Sequence, residues 1–166
     1  HIIFKDSDAN TIGAIYQSGA SATTYGTSSD YRLKENVDYT WDATTRLKQL
    51  KPARFNWIAD TSNTTIDGFL AHEVSNIVPE AIMGEKDVTE TFSNSVINSA
   101  GNKIDDDVTE AEWTAGKADD KYDADTTWAA SHTQNLNQSI DHSKLVPLLV
   151  KTIQELEARI TTLESS

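Results

Sequence analysis

The run Ser28-Ser29-Asp30-Tyr31-Arg32-Leu33-Lys34 places a serine, Ser29, five residues before a lysine, Lys34, just after Tyr25-Gly26-Thr27. A neutral lysine is one of the few side chains able to take a proton from a serine hydroxyl and so make a nucleophile. The chemistry is demanding, because a lysine at its free pKa of ~10.4 is protonated and useless as a base. Burial or a nearby cation must depress it. Arg32 is a candidate neighbour, since in an extended chain Arg32 and Lys34 share a face. Taken alone, the pair reads as an ordinary loop serine and a surface lysine. The two types fall five residues apart by chance in most proteins.

Other groupings carry less chemistry. His72-Glu73 begins like a zinc-protease motif, but Asn76 stands four residues after His72, so a structural role is expected. Asp105-Asp106-Asp107 lacks the alternate spacing and the following glycine of an EF-hand loop, and reads as a solvated acidic turn. Trp41, Trp57, Trp113 and Trp128 read as core or subunit-interface residues. The chain has no cysteine, which excludes disulfides and thiolate metal sites. No metal and no cofactor is expected.

The elements that must position Ser29 and Lys34 differ on either side of them. Before them, Ile2 and Phe4, then Ile12 and Ile15-Tyr16, suggest two short strands with Asp6-Ser7-Asp8-Ala9-Asn10 as the loop between. Residues 17–29 are rich in Gly, Ser, Thr and Ala and read as an extended, solvated connector. Two short strands cannot bury a core and need neighbours in the next domain or in other copies of the chain.

After the pair, residues 30–83 read as a compact α/β segment. Residues 44–50 carry a short helical pattern stopped by Pro52, and residues 53–58 alternate as a strand. Residues 60–67 are turn-rich, residues 68–71 read as a second strand, and residues 73–78 as a short helix closed by Pro79. Residues 84–139 change character, with 12 acidic and 4 basic residues. They read as a surface excursion with weak strands or as a partly disordered insertion, and Trp113, Tyr122 and Trp128 favour some order. From Ser143, a plausible N-cap, the chain reads as a long helix. Val146, Ile153 and Ile160 fall on one heptad position and Leu149, Leu156 and Leu163 on the other, a short coiled-coil stripe.

The 166 residues suit one domain, or a domain with an appendage. A net charge of −12 argues against a partner bound through nucleic-acid phosphates and against an anionic membrane surface. No apolar run approaches the length of a bilayer span, and no signal-peptide pattern opens the chain. Because it begins at His1 without an initiator methionine, a piece cut from something larger is expected.

Four pieces resemble, in order, the C-terminal intramolecular chaperone domain of phage tail spikes and tail fibres, the endosialidase type. They are residues 29–37, residues 47–57, residues 68–74 with Val78-Pro79-Glu80, and residues 141–151 running into Gln154-Glu155-Leu156. Residues 84–139 have no counterpart in the resemblance, and His72 stands where glutamine is more usual. The resemblance implies an α+β fold: a small globular α/β chaperone domain with a long C-terminal coiled-coil helix, assembled as a homotrimer. Residues 1–28 are then the β end of the mature fibre with its connector. Residues 29–166 are the chaperone, with 84–139 an acidic insertion and 143–164 the helix.

The same resemblance assigns Ser29 as nucleophile and Lys34 as base of a single-turnover serine autoprotease, with Ser28, Asp30 and Arg32 beside the cleaved bond. Which side of Ser29 is cut stays open. Attack on the Ser28 carbonyl is an N-to-O acyl shift that cuts before Ser29; a cut after it needs a neighbouring chain's Ser29 or help from Asp30. The partners implied are other copies of the chain and its own upstream fibre segment. The setting implied is a virion fibre or spike precursor made in the host cytoplasm, from which the chaperone part is released. A permanent, non-cleaving trimerisation or receptor-binding tip is the rival reading.

Overall fold

The β-branched and aromatic strands Ile2–Lys5 (β1) and Thr11–Ser18 (β2) pair antiparallel, with Ile3 opposite Ala14 and Phe4 opposite Gly13. The computed structural model in which they are seen describes residues 2–166; His1, and the inference drawn from it, lie outside the described residues. The turn between these strands is made by Asp6, whose carboxylate accepts the backbone N–H of Asp8 at 3.0 Å and of Asn10 at 2.8 Å. The chain divides into two units, one running to Trp41 and the other from Asp42 to Ser166.

In the first unit the expected connector is a third strand, Ala22–Thr27 (β3), which completes a sheet in the order β1-β2-β3. Thr23, Thr24, Tyr25 and Thr27 supply the β-branched and aromatic side chains that a pleated surface favours. Gly19 makes the reversal possible with a positive φ of 69°. No residue of this sheet is buried, and Ile2, Ile3, Phe4 and Ile12 are all more than half exposed. Past the sheet the backbone makes a 3-10 turn at Tyr31–Leu33 and then runs irregularly to Trp41.

The second unit is mixed α/β with a C-terminal helix. Ala43–Leu47 (α1) starts at Asp42, whose side chain accepts the Thr45 N–H at 3.0 Å, and ends short of Pro52. Ala53–Phe55 (β4) and Ile66–Gly68 (β5) form a two-stranded ribbon, with Arg54 and Asp67 paired across it at 2.7 Å. The second strand thus lies two residues earlier than expected. Gly68 faces the Phe55 ring, where an added Cβ would meet a ring carbon at 3.0 Å. Residues 70 and 71 turn away instead, and Ala71–Val74 (α2) begins ahead of the expected helix. Val74 and Val78 are buried.

Ile82–Met83 (β6) pairs with Ser139–Ile140 (β10), so residues 84–138 leave and return through adjacent strands. They are ordered. Thr89–Ile97 (β7), Lys103–Asp105 (β8) and Thr127–Asn135 (β9) form a sheet in the order β8-β7-β9, beside Glu110–Ala118 (α3). Val96, Val108 and Tyr122 make a core with Trp113 and Trp128 against it. Each indole N–H finds an acceptor, Trp128 on the Val108 carbonyl at 2.7 Å and Trp113 on the Thr126 hydroxyl at 3.2 Å. The acidic turn is held by donors: Asp105 accepts from the Tyr122 hydroxyl at 2.7 Å and pairs with Lys121 at 3.1 Å, and Asp106 pairs with Lys103 at 2.8 Å. Among the described residues no cluster of side chains is arranged to hold a metal ion.

The last helix, Val146–Glu164 (α4), follows a 3-10 turn at His142–Leu145. Ser143 does not cap α4, whose N-cap position is Leu145 with no side-chain cap; Asp141 caps the 3-10 turn before it. The Asp141 carboxylate accepts the Ser143 N–H at 3.0 Å and hydroxyl at 2.6 Å. Pro147 sits in the first turn, where its missing N–H costs nothing. Leu145, Leu148 and Thr152 are the buried residues at this end. One turn on, Glu155 accepts the N–H groups of Ala43 at 3.0 Å and Thr44 at 2.8 Å, and the Thr44 hydroxyl at 2.6 Å. These bonds, that from Ala43 foremost, hold the Glu155 carboxyl below its ordinary range. α4 therefore docks on α1, with Glu155 bonded to the first residues of that helix. The stripe Val146, Leu149, Ile153, Leu156, Ile160 and Leu163 lies outside that contact, 42–74% exposed. Among the described residues no helix is long and apolar enough to cross a membrane.

Candidate active site

Two anchors fix the backbone around Ser29. On one side Ser28 extends the sheet past β3: its N–H donates to the Ile12 carbonyl at 3.1 Å and its hydroxyl to the Thr11 carbonyl at 2.9 Å. On the other side Asp30 caps the 3-10 turn, its carboxylate accepting the Arg32 N–H at 2.9 Å. The Leu33 N–H returns to the Asp30 carbonyl and the Lys34 N–H to the Tyr31 carbonyl, each at 3.1 Å.

The turn is what brings Ser29 and Lys34 together. In an extended strand residues five apart stand roughly 16 Å from one another and point to opposite faces. Folded as it is, the chain sets Lys34 Nζ 2.8 Å from Ser29 Oγ and 3.1 Å from the Ser29 carbonyl oxygen. The amine is therefore placed both to exchange a proton with the hydroxyl and to polarise the carbonyl of the Ser29–Asp30 bond. Both groups are exposed in the single chain.

Arg32 does not stand where the extended reading put it. Its guanidinium grips Asp30, Nε to Oδ1 and Nη2 to Oδ2, both at 2.9 Å. The side-chain bond from Arg32, then the Arg32 N–H, hold the Asp30 carboxyl below the usual range. Thus Ser28, Ser29, Asp30, Arg32 and Lys34 all meet at one junction. The six stripe residues lie on α4 and form a separate feature.

Two contributions were invisible in the sequence. The β2 carbonyls of Thr11 and Ile12 hold Ser28, and no local pattern announces that pairing. Glu155, the anchor of α4 on α1, was present only as one letter of the Gln154-Glu155-Leu156 resemblance.

Comparison with known proteins bears on this junction directly. No curated protein matches the chain. A family model described as chaperone of endosialidase, Peptidase_S74, matches residues 29–83. The match starts at Ser29 and takes in the whole Ser29–Lys34 turn, α1, the β4–β5 ribbon and α2. Over residues 29–83, about a third of its length, this chain is similar to the family of chaperones of endosialidase.

Proposed function

We propose that residues from Ser29 onward form an intramolecular chaperone that assists folding and trimerisation of the upstream segment, the end of a phage tail fibre or spike, and then frees itself by cutting the chain at Ser29. The observation that carries this reading is the 2.8 Å contact between Lys34 Nζ and Ser29 Oγ at the first residues of the family match. Neutral Lys34 takes the hydroxyl proton, Ser29 Oγ attacks a carbonyl to give an ester, and the proton passes to the leaving amine. Water then hydrolyses the ester. Cleavage at either peptide bond of Ser29 parts the sheet from the turn.

Two further features support the reading. The first is the division of labour at the junction: Ser28 belongs by its hydrogen bonds to the sheet, and Asp30 belongs to the turn. The second is the exposed apolar surface. A sheet with no buried residue and a helix with an uncovered heptad stripe both fit further copies of the chain as cover. Such cover would also dry the dyad, and loss of water favours the neutral lysine that the chemistry needs.

Intact mass of the purified full chain tests the proposal. Two fragments whose masses meet at one of the peptide bonds of Ser29 are expected. A single species of full mass after prolonged incubation of the assembled protein would favour a permanent, non-cleaving tip.

A further inference from the structure

Asp30 follows the nucleophile and precedes the base by four residues. A carboxylate at that place is a natural counter-ion for a lysine ammonium. Left free, it would hold Lys34 charged and draw Nζ away from the serine hydroxyl. That capture does not occur here. Both carboxylate oxygens of Asp30 are taken by the Arg32 guanidinium, each at 2.9 Å, and the Arg32 N–H adds a third bond at 2.9 Å. Among the described residues, the hydrogen bonds of Lys34 Nζ go to Ser29, through its hydroxyl and its carbonyl.

We propose that Arg32 is a positioning residue for self-cleavage: by clamping Asp30 it denies Lys34 a carboxylate partner and leaves the amine on Ser29. The inference rests on the Ser29–Lys34 reading above and goes beyond it by giving a role to a residue that touches neither reacting atom. Arginine suits the task for two reasons. Its planar fork matches both oxygens of a carboxylate at once, and it stays charged at the alkaline pH where a lysine loses its proton. The clamp therefore survives over the whole range in which the base is generated. Asp30 in turn raises the pKa of Arg32 further.

The other charges near the junction are already occupied or lie elsewhere in the turn. The β1–β2 loop sits at the end of the sheet where Ser28 emerges and carries Asp6 and Asp8, next to Lys5. Asp6 is engaged with the N–H groups of Asp8 and Asn10 and with the Asn10 side chain. Glu35 follows the base directly, and Asp38 accepts from the Thr40 N–H and hydroxyl.

The test is a pH–rate profile of cleavage, followed on denaturing gels, for the full chain and four variants. Arg32→Ala should move the profile upward by about half to one pH unit, which makes cleavage about three- to ten-fold slower on its acid limb and leaves the alkaline plateau in place. Arg32→Ala combined with Asp30→Asn should return the profile to that of the parent, since asparagine still caps the turn but carries no charge. Asp30→Asn alone should keep cleaving, with its profile at or below the parental pH. Arg32 and Asp30 are 74% and 41% exposed, so these changes leave the fold intact.

An unmoved profile in Arg32→Ala, a uniform loss of rate at every pH, or failure of Asp30→Asn to restore the double variant would each overturn the proposal. The underlying reading is read out separately by Lys34→Ala. Cleavage that persists in Lys34→Ala sinks the dyad itself, whatever Arg32 does.

Discussion

Ser29 sits between a residue that belongs to a sheet and one that belongs to a turn, and that placement sets what each substitution should do. Ser29→Ala removes an exposed hydroxyl whose partner is Lys34 Nζ, so it should leave folding untouched and yield only the uncut chain. Lys34→Ala should give the same block. Lys34→Arg should not rescue it, because a guanidinium keeps its proton. Wild-type cleavage in any of the three, seen on a denaturing gel, removes that residue from the chemistry. A second residue reports on acid stability. The Ser62 hydroxyl, with the Thr64 and Ser62 N–H groups behind it, lowers the Asp60 carboxyl to about 2 from an ordinary 3.8. A depressed carboxyl stabilises the fold at pH values above its unfolded-state pKa, and that contribution is lost as pH falls through the folded value. Urea midpoints of the wild type should therefore fall between about pH 4 and about pH 2. Those of Asp60→Asn should be lower at neutral pH and fall less steeply over that interval. Parallel slopes would mean that the Asp60 turn does not couple to folding.

The acidic insertion shows most clearly how local rules are overruled by packing at the scale of elements. Gly116 lies inside α3, where alanine is ordinarily the better residue by about 1 kcal/mol. Here an alanine Cβ would come within 2.6 Å of the Tyr122 ring, and that ring is buried and tied by its hydroxyl to Asp105. Gly116→Ala should thus destabilise the full chain by about 1–3 kcal/mol, the usual cost of overpacking, with the loss measured by chemical denaturation. A stabilised variant would mean that the Tyr122 ring yields freely. The same glycine helped to hide α3 in the sequence. The signal that could have found it was the capping box of Thr109 and Glu112, whose side chains bond each other's backbone N–H groups. β3 was hidden for a different reason: its Thr and Tyr residues stand among Gly, Ser and Ala, so composition pointed to a linker while propensity pointed to a strand. By contrast β1 and β2 were legible from their isoleucine and aromatic residues flanking a polar loop, and α4 from its heptad period. The dyad was legible only as a motif. Spacing alone does not bring residues five apart into contact; the 3-10 turn does, and its cause is the cap at Asp30.

For the molecule as a whole the decisive feature is that α4 has one face buried against its own unit and a separate apolar stripe left exposed. Leu148 is 2% exposed and Ile153 is 65% exposed, although both lie on the same helix five residues apart. Leu148→Ala should therefore weaken the fold of each chain by about 2–4 kcal/mol. Replacing Ile153 and Leu156 with aspartate should spare that fold and abolish association, since it places charge on a seam that assembly would dry. Light scattering that still finds the wild-type oligomer after the double change would exclude the stripe as the contact. The consequence for cleavage follows from the exposed state of the dyad in a single chain. The chemistry needs a neutral lysine, and loss of water favours that form. If assembly supplies that loss, the order of events is folding, then association, then cutting. On the proposed function, template and upstream segment would be one molecule before the cut, so that weak contacts between them would act without a translational cost, and release of the template would make assembly hard to undo. The double aspartate chain should accordingly stay monomeric and uncut over times in which the wild type is fully processed. Its Ser29–Lys34 turn is unaltered, so cleavage at the wild-type rate in those monomers would show that Lys34 is activated within one chain and that assembly does not gate the chemistry.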